Sequence, residues 1–197
     1  MSDILPAALT DWFSQKGWQP HAHQLHVMEA RARPACLLIA PTGCGKTLAG
    51  FLPSLADLAQ GPHAGLHTLY VSPLKALAAD IKRNLRGPAA EMGLDIRIED
   101  RTGDTSATQK RRQRVDPPQI LLTTPESLAL LTSYSDAKRL FSGLKRVVID
   151  EAHALSESKR GDQLMLSLAA LQRMCPDMQR IGLSATVQDP DEIARFI

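Results

Sequence analysis

Residues 35–50 read ACLLIAPTGCGKTLAG: an apolar run, a glycine-rich turn closing on lysine and threonine, and the start of a helix-forming segment. In that order the residues form a phosphate cradle. Gly43 and Gly45 let backbone N–H groups turn inward around phosphate oxygens, and the N-terminus of the helix TLAGFLPSLADLA adds a favourable dipole. Thr42, Gly43, Cys44, Gly45, Lys46 and Thr47 are therefore expected to bind nucleotide. Lys46 would reach the β- and γ-phosphates and the Thr47 hydroxyl would coordinate Mg²⁺. Ala40 stands where the pattern GxxxxGK[ST] has its first glycine.

Working outward, short aliphatic and β-branched runs recur at 35–40, 67–72, 95–100, 119–124, 146–150 and 180–186. They lack clean polar alternation, as β-strands buried on both faces of a parallel sheet do. Helix-like segments lie between them at 21–32, 46–60, 74–90, 106–114, 126–131 and 161–173, and DEIARFI reads as the opening of another helix. Alternating strand and helix predicts a doubly wound α/β fold, a mostly parallel sheet with helices on both faces. The 197 residues suffice for one such domain with a full core.

Composition narrows the function classes. The apolar runs are too short to span a bilayer and MSDILPAALTDW lacks the regions of a signal peptide, so a cytoplasmic protein with no membrane partner is expected. Cys36, Cys44 and Cys175 have no CxxC spacing, which suggests neither a disulfide framework nor a zinc site. In HAHQLH, His21 and His23 are expected on different sides of a helix, with only His23 and His26 sharing a face. A net charge of +2 does not by itself announce a nucleic-acid binder.

VVIDEAHAL supplies the chemistry complementary to the cradle. Asp150, ending an apolar β-strand, can hold Mg²⁺ directly or through water. Glu151 is the candidate base or water-orienting group for attack on the γ-phosphate. His153 could join a polar relay to GLSAT, where Ser184 and Thr186 end another β-strand.

APTGCGKT, DEAH and SAT stand in the order and approximate spacing of the first RecA-like domain of superfamily 2 helicases, and the chain resembles that family along essentially its whole length. SPLKALAAD, RTGDTSATQKRRQR, LLTTPESLALL and DEAHAL followed by ESKRGDQL resemble the large helicase-related (Lhr-type) branch, most closely its bacterial DNA-ligase-associated members. The resemblance implies a RecA-like P-loop NTPase domain over 1–197, with 1–33 as the adenine-recognition segment: Trp18 near the base and Gln24 reading its edge. It also implies ATP and Mg²⁺ as cofactors.

HTLYVSP and ILLTTP repeat one device, a β-strand ending in Ser or Thr with Pro following as first helical residue. Ser72 before Pro73 and Thr124 before Pro125 would present hydroxyls and free helix N–H groups to anions. In the resembled family these segments grip successive phosphates of one nucleic-acid strand, with Thr102 and Gly103 nearby and Lys75 as a further contact. QKRRQR at 109–114 reads as a solvated helix face whose charge could steer nucleic acid. A grip without base contacts is sequence-independent.

The expected function is an ATP-dependent nucleic-acid helicase or translocase, with single-stranded DNA as the expected partner and a role in DNA repair beside a ligase or nuclease implied by the resemblance. The polarity, 3′ to 5′, is likewise implied by the family. An RNA helicase, a double-strand translocase and a non-enzymatic ATP-controlled switch are the alternatives. In the family ATP lies between two RecA-like domains. The second, with its arginine fingers, is expected outside residues 1–197, so this part alone should hydrolyse little ATP.

Overall fold

The computed structural model describes residues 4–185, 187 and 189–197, with side chains throughout except at 75–80. Six parallel β-strands form one sheet: β1 (Ala35–Ile39), β2 (Thr68–Val71), β3 (Ile98–Arg101), β4 (Ile120–Thr123), β5 (Arg146–Ile149) and β6 (Gln179–Ser184), in spatial order β1-β6-β5-β2-β4-β3. The helices are α1 (Ala7–Gln15), α2 (Ala22–Glu29), α3 (Lys46–Leu58), α4 (Lys75–Glu91), α5 (Ala107–Val115), α6 (Pro125–Ser133), α7 (Ala137–Leu140), α8 (Ala152–Ser156), α9 (Lys159–Met174) and α10 (Pro190–Phe196). Among the described residues no helix is long and apolar enough to cross a membrane.

The β-strands are apolar on both sides because both sides are covered. Leu69, Val71, Leu121, Val147 and Ile149 face a cluster completed by α6, α8, α9 and α10, while Tyr70, Leu122, Val148 and Leu183 face α3 and α4. On the α3 side a third cluster joins Leu9, Trp12 and Phe13 of α1 to Leu52 and Leu55. Trp12 Nε1 and Lys16 Nζ both donate to the Glu91 carboxylate, at 2.7 and 2.5 Å, which fixes the N-terminal segment against the end of α4.

Several expectations need adjustment. The 95–100 run yields a β-strand only from Ile98, because the Gln119 side-chain oxygen accepts the Arg97 N–H at 2.8 Å ahead of the ladder. The 21–32 segment divides into α2 and a 3-10 turn over Ala30–Ala32. His21 is the cap residue outside α2, so its ring is free to stack parallel on His23 at 5.3 Å instead of pointing to another side. The helices α1, α7 and α8 carry no expectation from the sequence.

Candidate functional site

Sheet register aligns the carboxyl ends. Leu37 pairs with Gly182, Gly182 with Ile149, Ile149 with Val71, Val71 with Thr123 and Thr123 with Arg101. One residue further along their chains come Asp150, Ser72, Thr124 and Thr102, so residues scattered over the sequence meet along one edge. Crevices at the carboxyl ends of such sheets are where α/β folds bind ligands.

The β1–α3 turn holds Gly43 at φ 82° and Gly45 at φ 81°, left-handed conformations that glycine adopts without steric cost. Gly45 caps α3, and a Cβ there would stand 3.0 Å from Gln24 Nε2. Lys46 is 8% exposed and its ammonium donates to the Ala40 carbonyl at 2.7 Å. Cys44 Sγ donates to Pro41 O at 2.8 Å, and Thr42 is exposed beside it. Gln24 is buried with its Oε1 on the His21 N–H at 2.9 Å, which leaves its amide nitrogen turned to the loop. Trp18, 55% exposed and edge-on to Trp12, shares with Gln24, Gly43, Cys44, Gly45 and Leu48 a cavity of about 500 Å³. That volume lies within the range of small-molecule and cofactor sites.

Asp150 is buried and accepts a hydrogen bond from the Tyr70 hydroxyl. Burial raises the Asp150 carboxyl above the usual carboxylate range, and the adjacent Glu151 acts the same way. The Tyr70 bond and the Lys46 charge oppose them. Tyr70, stacked on Phe51 at 5.1 Å, is itself pushed far up by burial and by Asp150, so it stays a neutral donor. Its hydroxyl also interacts with the side chain of Thr47. The Thr47 hydroxyl and the Asp150 carboxylate are thus both neighbours of the Tyr70 hydroxyl, and their oxygens are of the kind that suits a hard cation such as Mg²⁺.

Glu151 adopts φ 49°, which costs a non-glycine residue about 1–3 kcal/mol and turns the chain sharply after β5. Its Oε2 lies 3.4 Å from His153 Nε2, and His153 Nδ1 lies 3.0 Å from Ser184 Oγ. His153 thus stands between Glu151 and Ser184; Thr186 lies outside the described residues.

The other half of the edge differs in part from expectation. Thr124 caps α6 by accepting the Ser127 N–H at 3.4 Å, and Pro125 is the first helical residue, as the repeated device requires. At the first copy the device fails: Ser72 accepts the Leu74 N–H at 3.3 Å, Leu74 is the cap residue, and α4 starts at Lys75. The reason lies far along the chain. Arg160 Nη1 donates to Pro73 O at 2.8 Å, which holds Pro73 outside the helix, while Nε and Nη2 grip Glu126 at 2.5 and 3.1 Å. That pair holds the Glu126 carboxyl at about 2. The Lys75 side chain lies outside the described residues.

Ser72, Thr102 and Thr124 are buried more deeply than exposed phosphate contacts would be. Thr102 Oγ1 accepts the Asp104 N–H at 3.3 Å and its own N–H goes to Thr105 Oγ1 at 2.9 Å, while Lys110 Nζ holds Gly103 O at 2.8 Å. The α5 face is not simply solvated either: Arg112 pairs with Glu99 and the buried Gln113 donates to Asp100 O at 3.0 Å. Tyr70 and Arg160 were missed by sequence reasoning; both act on partners more than 70 residues away, Asp150 and Pro73.

Comparison with known proteins agrees with this geometry. Residues 21–193 match the DEAD/DEAH box helicase family. The "ATP-dependent helicase Lhr-Core protein 2" of Thermococcus barophilus is 41% identical over 99% of this chain and 24% of its own length. The "Lhr helicase/uracil glycosylase" of Escherichia coli is 40% identical over 100% of this chain and 14% of its own. The chain thus spans a quarter or less of these curated relatives. The structure of the Mycobacterium smegmatis helicase Lhr bound to ssDNA and AMP-PNP superposes with a TM-score of 0.91 at 41% identity, over 99% of this chain and 26% of that one. The fold is accordingly the RecA-like core of helicases, and the chain belongs to the DEAD/DEAH-box helicase family.

Proposed function

We propose that residues 1–197 are the ATP-binding first RecA-like domain of an Lhr-type helicase, which uses ATP hydrolysis to change its grip on one nucleic-acid strand. DNA is the preferred substrate in this reading, with 3′ to 5′ movement and a role in repair. A single observation carries it: one sheet edge holds the phosphate cradle and Asp150–Glu151 at one end, and Ser72, Thr124 and Thr102 at the other. The likeness to a helicase solved with ssDNA and AMP-PNP supports the same assignment.

In this mechanism Lys46 exchanges the Ala40 carbonyl for phosphate oxygens, and Gln24 and Trp18 hold the base in the adjoining cavity. Mg²⁺, held by Thr47 and Asp150, would supply charge neutralisation of the transferring phosphoryl group. Glu151 orients the attacking water and takes its proton onto the carboxylate, which His153 links to Ser184 at the end of β6. Hydroxyls of Ser72, Thr102 and Thr124, with the loop and helix N–H groups that follow them, hold the nucleic-acid phosphates without reading bases. A second RecA-like domain completes the nucleotide site and the grip, and arginine fingers of that kind contribute about 10³–10⁵ in rate in related phosphoryl transfer.

The test compares ATP turnover by residues 1–197 and by the protein extended through the second domain, with and without single-stranded DNA. Turnover stimulated by DNA only in the extended protein is expected, with strand displacement from DNA and hybrid duplexes deciding the substrate. Robust unwinding by residues 1–197 alone would overturn the two-domain mechanism, and ATP binding without turnover in the extended protein, with or without DNA, would favour a nucleotide switch.

A further inference from the structure

Beyond the turn at Thr102 and Gly103, at the outer edge of the sheet, lies a cavity of about 250 Å³ lined by Arg101, Ala107, Lys110, Arg111, Arg114 and Tyr134. Its lining includes four cationic side chains and no carboxylate. Arg101 is the unusual member: it is 3% exposed, and its guanidinium donates to uncharged acceptors, Lys110 O at 2.7 Å and Gln113 Oε1 at 3.5 Å. Burial pushes this guanidinium down, and Arg114 adds to the effect, opposed by Tyr134. A buried cation without an opposing charge is costly unless something compensates it.

Neighbouring charges are distributed unevenly around α5. Arg112 is paired with Glu99 and Arg97 with Asp116, outside the cavity. Arg114 lies over the Tyr134 ring at 4.0 Å and gives Nη2 to Asp136 at 2.7 Å, a carboxylate that Arg139 shares at 3.2 Å. Its Nε is buried without a hydrogen-bond partner among the described residues. The cavity therefore presents an excess of N–H donors and positive charge around a space that fits a tetrahedral anion.

Its position suggests the anion. Arg101 pairs with Thr123 in the ladder, Thr123 Oγ1 donates to Arg101 O at 2.9 Å, and Thr102 follows directly. The cavity thus adjoins the Thr102 end of the row Ser72–Thr124–Thr102 through Arg101 and runs along the α5 face from Ala107 to Arg114. Resting on the helicase reading above, we propose that this cavity receives a backbone phosphate of the bound nucleic-acid strand beyond the Thr102–Thr124 grip, with Arg101 and Arg114 as its inner donors and Lys110 and Arg111 at its rim. Tyr134 holds the Arg114 plane in place. The grip is then longer than the hydroxyl segments alone provide, and its outer end is electrostatic.

The experiment uses the protein extended through its second domain and thymidine oligonucleotides in which one phosphate at a time is replaced by a neutral methylphosphonate. Binding is read by fluorescence anisotropy across salt concentrations. In the unsubstituted protein one replacement toward the end of the footprint should weaken binding several-fold. In Arg111→Gln/Arg114→Gln that position should become insensitive, and the slope of log affinity against log salt should fall by about 0.7 for each phosphate no longer neutralised by the protein. The rim pair Lys110→Gln/Arg111→Gln, half-buried and exposed, gives the same readout should Arg114 prove necessary for folding. A folded variant with unchanged slope and an unchanged methylphosphonate profile would overturn the proposal and leave Arg101 as a cap on α5 carbonyls. If DNA-stimulated turnover persists beside that result, only this inference fails; if the unsubstituted protein shows no DNA-stimulated turnover, the helicase reading fails instead.

Discussion

At the β1, β6 and β5 end of the sheet edge, charge is buried and backbone is bent: Lys46 and Asp150 are both inside the protein, and Gly43, Gly45 and Glu151 all hold positive φ. At the β2, β4 and β3 end Ser72, Thr102 and Thr124 each close a local turn, the buried charge is Arg101 of β3, and other charges lie around them on α5, α6 and α9. The difference fits two tasks. A reacting phosphate needs donors fixed before it arrives, because reorganising them during reaction would raise the barrier. A moving nucleic-acid strand needs several weak holds, none of which traps it. Single substitutions should therefore act steeply at the first end and shallowly at the second.

The steepest effect is expected at Lys46. Lys46→Ala in the extended protein should lower ATP turnover by about 10²-fold or more, since it removes a cation aimed at the developing charge. Glu151→Gln should keep Mg²⁺-ATP binding while slowing hydrolysis by about 10²-fold or more. Steady-state turnover together with nucleotide binding separates the two variants. Normal turnover by Lys46→Ala would erase the contrast between the two ends.

That end was also the more legible. The cradle and the DEAH segment are contiguous, so local order, a β-strand then glycines then a helix, determines their geometry and can be read from neighbours in sequence. The β2–β4–β3 end depends on partners far apart. Ser72-Pro-Leu and Thr124-Pro-Glu look alike as sequence, yet only the second starts a helix at its proline, because Arg160 reaches across 87 positions to take the Pro73 carbonyl. Tyr70 reads as one more apolar position of a buried β-strand; its hydroxyl acquires meaning only when β5 brings Asp150 alongside. α8 is too short for a periodic signal, and α1 is stabilised by packing of Trp12 and Phe13 on α3 that its own composition does not announce.

Gly161 links the fold to the shallow end. A Cβ on it would stand 1.9 Å from the Leu155 carbonyl oxygen, a backbone atom that cannot swing aside. Gly161→Ala should destabilise by about 1–3 kcal/mol through overpacking, which for a domain of this size lowers the melting midpoint by about 2–4 °C per kcal/mol. Because α9 carries Arg160 at its start, nucleic-acid binding should weaken too while nucleotide affinity holds. A calorimetric midpoint equal to the parent's would show that the α8–α9 junction opens freely, and the Arg160 tie would lose its structural basis.

Smaller still is the double substitution Ser72→Ala, Thr124→Ala. Loss of the Thr124 cap should take about 1 kcal/mol of stability, and single-stranded DNA affinity should drop several-fold with catalysis per bound complex little changed. A folded double variant that binds DNA as the parent does would reduce both hydroxyls to turn closure and move the grip to backbone N–H groups and to the basic cavity.

The smallest effect belongs to the Arg160–Glu126 pair, and its pH dependence has a definite sign. Arg160 lowers the Glu126 carboxyl from its usual 4.5 to about 2 in the folded protein. A depressed carboxyl stabilises the fold above its unfolded value, and that contribution fades as pH falls through the window from about 4.5 to about 2. The Glu126 and Arg160 side chains are 48% and 40% exposed, so solvent screens the pair and its full contribution should stay below about 1 kcal/mol. Other lowered carboxyls, Asp136 among them, titrate in the same range, and a difference measurement removes them. The stability gap between parent and Glu126→Gln should be constant above about pH 5, narrow toward pH 3, and shrink with added salt. A gap that ignores both pH and salt would mean that Arg160 acts through the Pro73 carbonyl alone, which would leave α4 and α6 untied by charge at the end of the sheet proposed to hold the nucleic-acid strand.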